Sequence, residues 1–157
     1  PLYIDAIVKS IEKKINEIDW EPDLIIASYH GIPKKYFDKG DPYHCYCQKT
    51  TRLISEKFKK VKIITTFQSR FGPQEWLKPY TDKTLENLPN EGVKNLLVIC
   101  PGFSSDCVET LEEISIQGKD SFLKAGGINF DTIPCLNDNP DHIELFKHLV
   151  DKYIVKN

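Results

Sequence analysis

Leu24-Ile25-Ile26-Ala27-Ser28-Tyr29-His30-Gly31-Ile32-Pro33 is an apolar run that ends in a histidine and a turn. Leu96-Leu97-Val98-Ile99-Cys100-Pro101-Gly102-Phe103 has the same layout, and Asp106, Cys107 and Glu109 follow it. Short runs without polar alternation, closed by Gly and Pro, read as strands buried on both faces. Val61 to Phe67 is β-branched and reads as a further strand, and Phe130 to Pro134 as a short fourth. Helical spacing fills the intervals. Ile4, Ile7, Val8, Ile11, Ile15 and Ile18 make one amphipathic helix over residues 2–18, and His44 to Phe58 makes a second. Thr81 looks like the cap of a helix carrying Leu85 and Leu88. A long helix is expected from Ser105 to Ala125, closed by Gly126-Gly127. Asn139 or Asp138 caps the last helix, with Pro140 in its first turn and Ile143, Phe146, Leu149, Val150 and Ile154 on its core face. The alternation predicts a single three-layer α/β domain, with a four-stranded parallel sheet flanked by helices in Rossmann-like fashion. The expected strand order is 2-1-3-4, which puts a switch point between the first and third strands.

Bulk composition excludes several function classes. The 157 residues suffice for one domain with its own core. With 21 basic against 23 acidic residues, no cationic excess points to nucleic acid. No apolar run approaches the ~20 residues of a membrane helix. The chain starts at Pro1 and contains no Met, so a fragment or excised domain is expected. Five cysteines, Cys45, Cys47, Cys100, Cys107 and Cys135, without a secretion signal read as reduced thiols of a cytoplasmic protein, Cys100 and Cys135 being small core residues. Cys45-x-Cys47 is too closely spaced for an ordinary structural zinc site. His44, His142 and His148 form no ligand pattern and read as exposed helix residues.

The chemistry is expected where parallel strands end, since open α/β sheets bind ligands at that edge. His30 leaves the first strand on a turn fixed by Gly31 and Pro33. A neutral imidazole facing a carboxylate across a cleft can take up protons and hold a divalent metal. Asp106, Glu109 and Glu113, at i, i+3 and i+7, share a helical face and can pass a cation inward. The helix dipole alone accounts for acids in a first turn, but not for Glu113. After the second strand come Ser69, Arg70, Phe71 and Trp76, flat walls and a cation suited to an apolar ring bearing carboxylates. A satellite hydrophobic cluster under a long loop is the plain alternative.

Five motifs, in order, resemble ferrochelatase of the proteobacterial type. They are Ser28-Tyr29-His30-Gly31-Ile32-Pro33, Gly40-Asp41-Pro42-Tyr43, Thr66-Phe67-Gln68-Ser69-Arg70-Phe71-Gly72 with Glu75-Trp76-Leu77, Pro79-Tyr80-Thr81-Asp82, and Cys100 to Ile114. The resemblance runs along nearly all of the chain. It implies a chelatase-like fold and a lyase that inserts Fe²⁺ into protoporphyrin IX at the last step of haem synthesis. It puts the catalytic histidine at His30 and the essential glutamate at Glu109. It adds Asp106 and Glu113 to His30 and Glu109 as metal positions. Trp76 and Phe103 fall on positions that line the porphyrin cleft. Ser69, Arg70 and Phe71 lie in the loop expected to bind substrate. Cys107 stands where animal members carry a second histidine.

The resemblance covers the carboxyl-terminal one of two similar α/β domains, in a family about twice this long. Residues 1–157 are thus expected to be that domain, with the amino-terminal half as partner and little activity alone. Fe²⁺ is expected as substrate, with no organic cofactor. Without the cysteine tail of animal members no [2Fe–2S] cluster is expected. Peripheral contact with the inner membrane face is implied for the whole enzyme. A small sirohydrochlorin or cobalt chelatase and a non-catalytic tetrapyrrole carrier are the competing classes.

Overall fold

A computed structural model describes residues 2–154. The chain runs α1 (Leu2–Glu17), β1 (Leu24–His30), α2 (Lys34–Asp38), α3 (Tyr43–Lys57), β2 (Ile63–Gln68), α4 (Thr81–Asn87), a 3₁₀ turn (Leu88–Glu91) and β3 (Asn95–Ile99). A π-helix (Glu109–Gly118), α5 (Lys119–Lys124), β4 (Asn129–Ile133) and α6 (Pro140–Ile154) complete it. All strand pairs are parallel, in the order β2-β1-β3-β4. The architecture and strand order match the sequence expectation.

Period-two alternation sorts the strand residues into two cores. Ile25, Ala27, Tyr29, Leu97 and Ile99 face α1 and α3, where Ile7, Ile11 and Ile54 meet them. Leu24, Ile26, Leu96, Val98 and Cys100 face the other layer, with Leu85, Ile114 and Phe122. Each such aliphatic side chain contributes about 1.5–3 kcal/mol on burial. Both faces of β1 and β3 are covered, so these central strands carry no polar alternation, whereas the edge strand β4 buries only Phe130 and Ile133.

Local differences from expectation have physical causes. Thr81 is the first residue of α4 rather than its cap, and Tyr80 occupies the cap position. The Thr81 hydroxyl is instead buried, 2.9 Å from Ser28 Oγ and 2.8 Å from Thr66 Oγ1. The expected long helix starts at Glu109 rather than Ser105, because Asp106 is tied to Asn137 of the β4–α6 loop. Its first ten residues are wound as a π-helix. The Lys119 amide reaches the Ile114 carbonyl, five residues back. Asn139 caps α6, its Oδ1 accepting the Asp141 amide at 2.9 Å.

The expected core face of α6 is the main correction. Ile143, Phe146, Leu149, Val150 and Ile154 are 40–67% exposed, and His142 is the buried residue of that helix. His142 is fixed by a 2.7 Å bond from Nδ1 to the Asn137 carbonyl, and Lys9 pairs with Asp141 at 2.5 Å. The helix is thus tethered at its first turn, and among the described residues nothing covers its apolar stripe. His44, also expected exposed, is half-buried, with its ring stacked 5.6 Å from that of Phe67.

Candidate active site

His30 ends β1 and faces solvent, whereas the rest of the strand is buried. Its Nδ1 lies 2.7 Å from the Gly31 carbonyl. A carbonyl only accepts, so Nδ1 carries the proton and Nε2 presents its lone pair. The histidine backbone is fixed as well, since Tyr43 Oη donates to the His30 carbonyl at 2.7 Å. The Gly31 amide donates to the Gln68 carbonyl at 2.8 Å. Gly31 leaves no space for a side chain. A Cβ there would lie 2.9 Å from Gln68 O and 3.2 Å from the Trp76 ring.

Trp76 reaches this place through a short antiparallel bridge with Pro33. The Leu77 amide donates to the Ile32 carbonyl at 3.0 Å, and the Lys34 amide to the Glu75 carbonyl at 2.9 Å. Trp76 Nε1 donates to the Phe71 carbonyl at 2.9 Å, which fixes the indole plane. Phe103 comes from the turn after β3, with its ring 6.3 Å from that of His30. His30 and Phe103 thus face each other at the carboxyl edge of the sheet, with the Trp76 ring against Gly31 beside them.

The three acids have three different settings. Glu109, half-buried at the start of the π-helix, has its carboxyl held below the usual range. A hydrogen bond from the Cys107 side chain is the largest cause, its own amide the next, and the charge of nearby His30 adds to both. Glu113, one turn on, accepts the Ser69 amide at 2.7 Å and the Ser69 hydroxyl at 2.5 Å. Asp106 faces away, toward the β4–α6 loop. It accepts Asn137 Nδ2 at 2.8 Å, Thr110 Oγ1 at 3.0 Å and the Cys135 amide at 3.3 Å. Among the described residues, no three His, Cys, Asp or Glu side chains are grouped to hold one metal ion. Arg70 pairs with Asp82 at 2.6 Å and lies over the Tyr80 ring, and Phe71 is 83% exposed.

Asp106 gives a pH test of the loop. Burial alone raises its pKa, but the bonds from Asn137, the Cys135 amide and Thr110 together outweigh burial and lower it. A depressed carboxyl adds stability that is complete above its ordinary value of 3.8 and is lost as pH falls through the lower folded value. Between about pH 6 and about pH 3, the urea midpoint of the parent chain is expected to fall further than that of Asp106→Asn. Equal falls would remove this role.

Two residues have roles that the sequence did not show. Gln68, part of a quoted motif but not singled out as a site residue, is 2% exposed and bridges to the π-helix with Nε2 2.8 Å from the Glu109 carbonyl. Asn137 adopts φ 46° and links the Asp106 turn to α6. Turn formers around Asn137 were visible, but not their partners. Behind Gln68 lies a cavity of about 240 Å³, lined by Ser69, Arg70, Asp82, Glu113 and Gln117.

Comparisons with known proteins bear on this rim. The ferrochelatase family model matches residues 1–154. The ferrochelatase of Rhizobium meliloti (strain 1021) is 57% identical over 152 residues, which is 96% of this chain and 45% of that protein. The ferrochelatase of Mesorhizobium japonicum is 53% identical over 152 residues, 96% of this chain and 43% of that protein. The chain therefore spans under half the length of these curated relatives. A solved structure of a putative cobalamin (vitamin B12) biosynthesis CbiX protein from Marinobacter aquaeolei VT8 superposes with a TM-score of 0.54. It covers 87% of this chain and all of the other at 13% identity, which speaks for the fold alone. With a family match along almost every residue and an imidazole and a carboxylate at one sheet edge, the chain belongs to the ferrochelatase family.

Proposed function

We propose that this chain is the carboxyl-terminal half of an enzyme that inserts Fe²⁺ into protoporphyrin IX to form haem. The observation that carries the mechanism is the Nδ1 bond of His30 to the Gly31 carbonyl. In the neutral ring it leaves Nε2 as the acceptor, on a turn that holds the base at the end of β1. Free protoporphyrin carries two core N–H protons, and both leave as the metal enters. His30 Nε2 accepts them one at a time and passes each to water. Glu109, a carboxylate at neutral pH and held below its ordinary range, steadies the imidazolium or relays the incoming Fe²⁺. Trp76 and Phe103 supply flat walls, and their contacts with the macrocycle favour a distorted ring whose lone pairs point outward.

The exposed stripe of α6 supports a missing half, since five large apolar side chains along one helix face are normally covered. A groove of about 890 Å³, with Leu2, Leu145 and Leu149 in its wall, runs beside it. No described helix is long and apolar enough to cross a membrane. Anaerobic assays of Fe²⁺ insertion test the proposal. The full-length protein is expected to turn over, and the 157-residue chain to stay at background. Full turnover by the chain alone would overturn the half-enzyme reading. Porphyrin binding without insertion by the full-length protein would favour a carrier instead.

A further inference from the structure

Gln68 is the last residue of β2 and is paired in register with His30 on β1. Its main chain and side chain act on the two proposed reacting groups separately. The main-chain carbonyl accepts the Gly31 amide at 2.8 Å, which fixes the turn that carries His30. The side-chain Nε2 donates to the Glu109 carbonyl at 2.8 Å and lies 3.3 Å from a Glu113 carboxylate oxygen. Both of those groups only accept, so the amide orientation is settled: nitrogen toward the π-helix, oxygen toward the core. Oε1 then accepts Ser28 Oγ at 2.8 Å, and the Cys100 thiol lies 3.5 Å away. Ser28 has one proton, already given to Gln68. Thr81 must therefore donate to Ser28, and Thr66 to Thr81. The result is a buried one-way chain, Thr66 to Thr81 to Ser28 to Gln68 to the Glu109 backbone.

We propose that Gln68 is a positioning residue of the iron-insertion site. It clips the first turn of the π-helix to the end of β2, so that the Glu109 carboxylate is set opposite His30. Glu113 is the second half of the clip. Its two carboxylate oxygens take the Ser69 amide, the Ser69 hydroxyl and Gln68 Nε2, which makes it an anchor in the resting state. Ser69 meets it from a left-handed backbone conformation, φ 62°, that turns its amide and hydroxyl toward the helix. A π-helix has wider, less stable turns than an α-helix, and an external clip is what such a segment needs to hold one geometry.

The inference rests on the iron-insertion reading, and two measurements separate the failure of one from the failure of the other. The first is amide hydrogen exchange in the 157-residue chain, which needs no activity. Gln68→Met keeps side-chain length and removes the hydrogen bonds. Exchange of the amides from Glu109 to Glu113 is expected to quicken about tenfold, with α3 amides unchanged. Unchanged exchange in the π-helix overturns the clip.

The second is steady-state insertion of Fe²⁺ into protoporphyrin by the full-length protein. Gln68→Met should lower kcat about 30-fold while KM for the porphyrin stays within about threefold, the split expected of a misplaced group. A kcat within twofold of the parent, or a raised KM with kcat intact, overturns the positioning role. Ser69→Ala removes one donor to Glu113 and should show the same split at about fivefold, which covers failure of Gln68→Met to fold. Absence of insertion by the parent protein would sink the functional reading and leave the exchange result to decide the clip.

Discussion

His30→Ala in the full-length protein is expected to lower kcat for Fe²⁺ insertion by about 10²–10⁴-fold, the range for loss of a positioned general base. Porphyrin affinity should change little, because Trp76 and Phe103 remain. Folding should be unaffected, since the imidazole is exposed and its ring bond is to the neighbouring Gly31 carbonyl. Exposure also makes chemical rescue reasonable: free imidazole should restore part of the rate in a saturable way. Anaerobic initial rates, with tryptophan quenching for porphyrin affinity, are the measurements. An unchanged kcat would remove His30 from the proton transfer. A purely kinetic loss with no rescue by imidazole, water or formate would point to a role in metal contact instead.

Glu109→Gln is the second large effect. The change is isosteric and removes only the charge and one oxygen acceptor. It should lower kcat/KM for Fe²⁺ about 100-fold, comparable to loss of an acid–base partner. The position is half-buried and its backbone carbonyl, not its carboxylate, is what Gln68 grips, so the helix should persist. The loss should therefore appear with only a small fall in thermal midpoint, from the bonds that the carboxylate accepts from Cys107 and its own amide. A variant with parental kcat/KM for iron would show that the charge beside His30 is incidental.

The two central strands were legible because β1 and β3 are buried on both faces and read as apolar runs, and β2 and β4 were legible from their β-branched residues and short length. Their order followed from right-handed parallel crossovers. Helix starts were less legible because side chains with two uses look alike in sequence. Thr81 has the chemistry of a cap but spends its hydroxyl on Ser28 and Thr66. The α6 stripe has the spacing of a core face, and spacing alone does not say whether a partner lies within the same 157 residues. The π-winding left no pattern, because it depends on contacts made at a distance. The Ser69–Glu113 bonds are one example, made between residues 44 apart in the chain. The i, i+3, i+7 spacing did not give one three-acid face because Asp106 precedes the helix and bonds Asn137, which leaves Glu109 and Glu113 one wide turn apart.

Motif residues at the rim were legible one by one, but their division of labour was not. Arg70 looked free to meet a ligand carboxylate and instead pairs with Asp82. Gln68 looked like one polar residue of a loop, although it carries bonds to both sides of the site. Hydrogen-bond partners set such roles, and these lie about 40 residues apart in the chain.

Ring proton and carbon resonances of His30, recorded for the 157-residue chain with and without Glu109→Gln, test the central claim most directly. If the imidazole and that carboxylate share one rim, removing the charge moves the His30 signals and leaves those of His148, exposed on α6, in place. His30 signals that do not move, in a variant that is otherwise folded like the parent, would contradict the account.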